Sequence, residues 1–316
     1  MSGEIVPDSQ RIPDSELGGL VARIPARWRD YAQLARVDRP IGFWLLFWPC
    51  AWGLLLGGGM PALRDGRWAL LAWLWLGSVA MRGAGCVYND IVDADIDRQV
   101  ARTAARPIAA GRVSKRAAWG WLLVLCGVGL VVLLQLRWQG QVVALGSLAL
   151  VAAYPFMKRI TGFPQAWLGL VFTWGLPVGW VAVRGFDGLG VMGAAYAGAV
   201  CWCIGYDTIY ACQDREDDAM VGIGSSALTL GRHVKAGVAG FYAAAVALWA
   251  LAFWWLRADW LALLALLPVA LHLGWQVAGL RPKDGCNALA RFRANHGAGA
   301  LMALACWVVG NAGVAG

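Results

Sequence analysis

Charge is scarce in this sequence. Asp, Glu, Lys and Arg make up 15% of its 316 residues, where a soluble domain carries about 25%. Hydrophobic residues reach 59%, with 20 Trp and 41 Gly, so much of the apolar surface has to face lipid. Histidine is scarcer still, and His233, His272 and His296 show no mutual spacing that would form a metal site. The eight cysteines lie mostly inside apolar stretches and have neither metal-ligand spacing nor a disulfide framework. The pair Cys201 and Cys203 reads as helix filler. The glycine-rich stretches "GLLLGGGM" and "VGIGSSAL" follow no strand and lack the lysine of a P-loop. A cleavable signal peptide is not expected either, because the first 40 residues are polar and contain several prolines.

What is present is a series of long apolar runs. Crossing the hydrocarbon of a bilayer takes about 20 mostly apolar residues. Candidate spans lie near 41–60, 68–89, 117–136, 140–156, 165–183, 190–211, 236–256, 259–279 and 297–314. The expected fold is an all-α membrane protein of about nine transmembrane helices, with a polar tail over 1–35 and one membrane domain over 36–316. Gly and Ala within the spans allow close helix–helix contact. The loops alternate in charge. The tail, 98–116, 158–159, 212–235 and 281–293 hold 21 of the 27 Lys and Arg, and the opposite loops hold Arg64, Arg67, Arg137, Arg184 and Arg257. By the positive-inside rule the basic side, with the N-terminus, is cytoplasmic, which suits a cell inner membrane. The net charge of +8 is then mainly a topology signal, and no nucleic-acid partner is expected.

The acidic residues are clustered. Asp90, Asp93, Asp95 and Asp97 form one group and Asp207, Asp214, Glu216, Asp217 and Asp218 another, nine of the 19 in the chain. Each group sits at the basic-side end of a span. At about 100° per residue, Asn89, Asp93 and Asp97 share one helical stripe, Asp90 lies beside it and Asp95 points away. Asp207, Asp214 and Asp218 fall within roughly 40° of one another by the same geometry. Ionisable groups near a bilayer normally face the protein interior and mark function. Two like-charged stripes call for cations, and hard oxygen ligands select Mg2+ or Ca2+. Mg2+ takes one or two carboxylates and fills its remaining positions with water and substrate phosphates, so the stripes point to a diphosphate held through metal. The plainer reading, solvated loop charges abutting helices, does not account for two matching stripes on one membrane face.

Bases flank the acids. Arg102 and Arg106, on one helical face before Pro107, are candidates for diphosphate contacts together with Lys158, with Arg suited to two-pronged binding and Lys to a point charge. Arg82 lies within a span, seven residues or about 700° before Asn89, and so points the same way. A buried Arg in a span is expensive unless it has a role.

The motifs are familiar in combination. "NDIVDADID" resembles the NDxxDxxxD signature of the UbiA family of intramembrane prenyltransferases, "DREDD" its DxxxD motif and "YPFMK" its YxxxK element. The stretches "RVDRPIGFWLLFWPCAWGL", "MRGAGCVYNDIVD", "RTAARPIAAG", "YPFMKRITGFPQAWLGL" and "YDTIYACQDREDD" are similar to the 4-hydroxybenzoate polyprenyltransferase branch. The resemblance implies a helical bundle with a central cavity open to the cytoplasmic side. It also implies Mg2+-dependent transfer of a polyprenyl chain from polyprenyl diphosphate to the 3-position of 4-hydroxybenzoate, toward ubiquinone, with membrane lipid around the site. Asn89, Asp90, Asp93, Asp97, Asp214 and Asp218 are the expected metal ligands, with Asp93 and Asp214 central to catalysis. Arg82 or Arg159 would bind the acceptor carboxylate, beside Tyr154 and Tyr206, and Asp207 would orient the phenol or take the ring proton. Tyr88 and Tyr210 lie near the same motifs, where an allylic cation needs an aromatic, water-poor wall. Another acceptor (homogentisate, a dihydroxynaphthoate or haem) would leave this chemistry intact. A cation transporter would more often place its carboxylates near the bilayer midplane.

Overall fold

The computed structural model describes residues 23–62, 68–99, 103–213, 215 and 224–312, and among them there is no strand. The helices are α1 (Ala26–Leu34), α2 (Ile41–Ala62), α3 (Trp68–Val92), the single turn α4 (Ala94–Asp97), α5 (Lys115–Leu134), α6 (Trp138–Ile160), α7 (Pro164–Phe172) and α8 (Gly175–Arg184). They continue with α9 (Leu189–Ala211), α10 (Ser226–Leu230), α11 (Val234–Leu256), α12 (Trp260–Leu264), α13 (Leu267–Ala278), α14 (Gly285–Arg293) and α15 (Asn295–Ala312). Among the described residues, eight segments are long and apolar enough to cross a membrane: α2, α3, α5, α6, α7 with α8, α9, α10 with α11, and α12 with α13. Helix α15, where the ninth span is expected, falls outside those eight. Leu123, Leu130, Leu134, Trp138, Val142 and Leu145 on α5 and α6 are more than half exposed. Apolar side chains so exposed on spanning helices belong against acyl chains, and the chain is a multi-pass membrane protein.

Two spans read as continuous are broken, both near proline. Pro177 has no N–H for the carbonyl of Thr173, so the chain closes a tighter turn through Leu176 N to Thr173 O (2.9 Å), and Thr173 Oγ1 donates to Gly169 O (2.8 Å). Pro268 opens α13 in the same manner, after Leu266 N has bonded Leu263 O at 3.1 Å.

The chain folds as two compact units, one running to Phe43 and from Leu76 to Val131, the other comprising Trp44–Trp75 and Val132 onward. In the first, Leu34, Val87, Ile91, Ala94, Ile108, Val113 and Ala118 form a buried core that joins α1, the end of α3, α4 and the start of α5. Helix α1 therefore packs into a folded unit although its residues fall in the stretch read as a polar tail. In the second, helices approach through glycine. Gly53, Gly175 and Gly179 bring α2 and α8 to backbone contact, and Gly198 and Gly205 on α9 accommodate Trp249 and Tyr242 of α11. The buried indoles find acceptors, Trp52 Nε1 on Gly299 O (2.9 Å) and Trp249 Nε1 on Ala195 O (3.3 Å).

One buried polar network stands out in the second unit. Asn295 Oδ1 accepts from Trp202 Nε1 (2.8 Å) and Tyr242 OH (3.2 Å), and Asn295 Nδ2 donates to Gln276 Oε1 (2.9 Å). Asn295 is fully buried, so Asn295→Ala strands the Trp202 N–H in a dry interior. We expect a loss of about 2–3 kcal/mol, read as a lower unfolding midpoint in detergent. An unchanged midpoint would show that the network contributes nothing to stability.

Candidate functional site

The geometry of the first acidic group follows from the apolar residues beside it. Val87 and Ile91 are buried in the first unit's core, and Asn89 and Asp93 lie about 200° around the helix from them. Burying one pair turns the other away from that core. Helix α3 ends at Val92, and Asp93 (φ −92°, ψ 4°) interrupts it before α4. The hydrogen bonds nevertheless keep helical register, Asp93 N to Asn89 O and Asp97 N to Asp93 O, both 2.8 Å. Asn89, Asp93 and Asp97 thus form one stripe across the break. Asp95 points outward and pairs with Arg98 (2.8 Å) and Lys115 (3.6 Å).

Asp90, expected among the metal ligands, is held by two arginines. Its side chain is 1% exposed, and both oxygens accept from Arg36 Nη2, at 2.8 and 2.9 Å. Oδ1 also accepts from Arg106 Nη1 (3.1 Å), which reaches on to Asp97 Oδ2 (2.8 Å). Burial works against the charge on Arg36, yet Asp90, Cys86 and Asp38 together outweigh it and hold the guanidinium above its ordinary pKa. Burial raises the Asp97 carboxyl; Arg106 opposes this, while Asp90 and Asp93 add to it, and the net direction is upward. The face expected for Arg102 and Arg106 supposes a helix, but Thr103–Gly111 forms successive turns around Pro107, and Arg102 lies outside the described residues. Arg106 therefore reaches the site from a turn.

Whether these residues suit a hard divalent ion is decided by their donor chemistry. Asn89 Oδ1 is buried with no hydrogen-bond partner. Two turns further along the stripe the carboxyl of Asp97 is raised by burial and by its acidic neighbours. An amide oxygen and crowded carboxylates match what such an ion takes. Among the described residues no three His, Cys, Asp or Glu gather into a metal cage by themselves.

Arg82 lies on α3, partly buried, with Gly42 against it; a methyl at Gly42 would stand 2.7 Å from Arg82 Nε. Two functional candidates escaped the sequence reading, Arg36 and Asp38. Asp38 is 2% exposed, neither oxygen has a hydrogen-bond partner, and Arg39 Nε lies 3.6 Å away. The available signal was the charge density of "RVDR" directly before an apolar span.

In the second unit, Tyr206 and Asp207 occupy the penultimate turn of α9. Tyr206 is buried, with Trp202 and Phe292 around its ring at centroid distances of 4.8 and 5.9 Å. Asp207 is partly exposed. The end of α9 is tied down by Thr208 Oγ1 to Ser226 Oγ (2.8 Å) and by Ser226 N to Gln165 Oε1 (2.9 Å). Helix α9 stops at Ala211, and Asp214 and Asp218 lie outside the described residues. Tyr154 is half-buried on α6 before Pro155; Lys158 and Arg159 fall in the last turn of α6, their side chains outside the described residues.

The sequence profile of the UbiA prenyltransferase family matches residues 46–307. The mitochondrial 4-hydroxybenzoate polyprenyltransferase of Drosophila pseudoobscura pseudoobscura is 41% identical over 287 residues, 91% of this chain and 72% of that protein. Its counterpart in Arabidopsis thaliana is 40% identical over 282 residues, 88% of this chain and 68% of that one. Among solved structures, the apo form of a UbiA homolog from Aeropyrum pernix K1 superposes with a TM-score of 0.63 at 27% identity, covering 86% of this chain and 96% of the other. A UbiA homolog from Archaeoglobus fulgidus bound to GPP and Mg2+ shares the fold, with a TM-score of 0.66 at 17% identity over 89% of this chain and 99% of the other.

Proposed function

This chain belongs to the UbiA prenyltransferase family, and from that premise we propose that it transfers a polyprenyl group from polyprenyl diphosphate to the 3-position of 4-hydroxybenzoate, a step toward ubiquinone. The observation that carries the reading is identity of 40–41% with 4-hydroxybenzoate polyprenyltransferases over 88–91% of the chain. The N-terminus and the site are assigned to the cytoplasmic side of a cell inner membrane, on the strength of the loops that hold 21 of the 27 basic residues.

Asn89, Asp93, Asp97, Asp214 and Asp218 are the residues that would hold Mg2+, with the partnerless Asn89 Oδ1 as the local support. Bound Mg2+ would supply Lewis-acid stabilisation of the departing diphosphate. Arg102, Arg106 and Lys158 are the cations we propose for the same leaving group, where charge develops as the bond breaks, with Arg106 also bridging Asp90 and Asp97. The allylic C–O bond breaks and its electron pair leaves with the diphosphate. The ring carbon ortho to the phenolic hydroxyl forms the new C–C bond, and the ring proton passes to Asp207. Arg82 and Arg159 are the cations for the acceptor carboxylate, and Tyr154 and Tyr206 the aromatic candidates beside it.

The test is product mass spectrometry on the full chain in nanodiscs, with one polyprenyl diphosphate and a panel of 4-hydroxybenzoate, homogentisate and dihydroxynaphthoate. A prenylated product from 4-hydroxybenzoate alone is expected. Product from another acceptor with none from 4-hydroxybenzoate would overturn the assignment.

A further inference from the structure

Helix α1 ends in a Schellman turn, with Arg36 N on Gln33 O and Val37 N on Ala32 O, both 3.0 Å. The residue at the left-handed position of such a turn is usually glycine. Here it is Arg36, at φ +55°, the one non-glycine residue with positive φ among those described. A side chain in that region is strained and persists only where its surroundings over-determine it. What surrounds Arg36 is specific. Nη1 donates to Gln33 O (3.0 Å), and Nη2 lies between both oxygens of Asp90. The partner Asp90 is buried and is followed four residues later by Ala94 in the core.

We infer that Arg36 is a positioning residue for the first acidic motif, and that Asp90 is the anchor through which it acts rather than a metal ligand. The chain of contacts runs from Arg36 to Asp90, from Asp90 Oδ1 to Arg106 Nη1 and from Arg106 to Asp97 Oδ2. It ties the turn after α1, the end of α3, the loop containing Pro107 and α4 to one another. Asp90 precedes the break at Asp93 by three residues, so clamping it sets the rotation of α3 where Asn89 and Asp93 are presented. The two guanidinium groups balance Asp90 and one oxygen of Asp97. Asn89, Asp93 and Asp97 are the stripe that this clamp would orient toward a cation. A buried ion pair is weak evidence of stabilisation by itself, since desolvation offsets most of the attraction. Placing it on a strained backbone adds a further cost, which points to orientation of the motif as its purpose.

The inference rests on the reading that Asn89, Asp93 and Asp97 bind a divalent ion, and its test separates the two. Arg36→Gly removes the clamp while giving the turn its preferred residue, so the fold loses little from the backbone. Mn2+ binding to the full chain in nanodiscs is followed by electron paramagnetic resonance, alongside the unfolding midpoint and steady-state kinetics. Partners that orient metal ligands typically contribute about 10- to 100-fold to metal affinity. Arg36→Gly is expected to weaken Mn2+ binding by that factor and to lower kcat, with the KM for the aromatic acceptor unchanged. Arg36→Lys, which keeps the charge and loses the fork, should fall between. If Arg36→Gly does not accumulate, Arg36→Lys carries the same affinity measurement. A folded variant that binds Mn2+ as the parent does overturns the positioning role. A parent chain that binds no Mn2+ overturns the metal reading beneath it.

Discussion

Asp93→Ala is expected to lower kcat roughly 10³-fold, the scale of losing one preorganised charge at a reacting centre, while the protein still inserts and folds. The side chain sits in the middle of the Asn89–Asp93–Asp97 stripe and is only partly buried. The hydrogen bonds that carry the helix across the break use the backbone N and O of Asp93, so alanine preserves them. Removing one carboxylate also relieves repulsion on Asp97, whose carboxyl is already raised by burial and acidic neighbours. The unfolding midpoint should therefore hold or rise while turnover collapses. Asp95→Ala is the matched control two residues away, because Asp95 is exposed and, among the described residues, pairs with Arg98 and Lys115; it should retain nearly full turnover. The measurement is product formation in nanodiscs at saturating substrates. Turnover within tenfold of the parent in Asp93→Ala would remove Asp93 from the metal set.

The stretch from Asn89 to Asp97 shows how far sequence reaches. The separation of Asp95 from the Asn89 stripe follows from 100° per residue and survives in the structure, because the core contacts of Val87 and Ile91 hold α3 in that rotation. The interruption at Asp93 carries no proline or glycine to announce it. Pro177 and Pro268 are visible signals, but a hydropathy window of 20 residues averages across them, so α7 with α8 and α12 with α13 read as unbroken spans. The pairing of Asp90 with Arg36 spans 54 residues, and no local periodicity encodes it. Asn295 fails for a related reason. Its partners Trp202, Tyr242 and Gln276 lie on three other helices, and polarity alone gives a residue so placed no distinguishing mark.

Arg82→Ala should raise the KM for 4-hydroxybenzoate by about 30- to 1,000-fold, since truncating one partner of a desolvated charge pair costs roughly 2–4 kcal/mol. The acceptor carries one carboxylate at neutral pH, and a site that holds it away from water has to answer it with a cation. Arg82 is placed for this by helical arithmetic, two turns before Asn89 on α3, and its guanidinium lies against Gly42. The decisive comparison uses an acceptor without the carboxylate. If Arg82 binds that group, the substitution penalises 4-hydroxybenzoate and leaves the kcat/KM for phenol near its parent value. Equal penalties on both acceptors would mean that Arg82 supports the fold or the leaving group instead. Arg159→Ala, run through the same pair of acceptors, assigns the carboxylate between the two arginines. Gly42→Ala tests Arg82 without touching its charge. The added methyl would stand 2.7 Å from Nε and 3.3 Å from Nη2 and must push the guanidinium aside. Its effect should follow Arg82→Ala in direction and in dependence on the carboxylate, at a smaller size, because a displaced arginine still neutralises part of the charge that a missing one leaves bare.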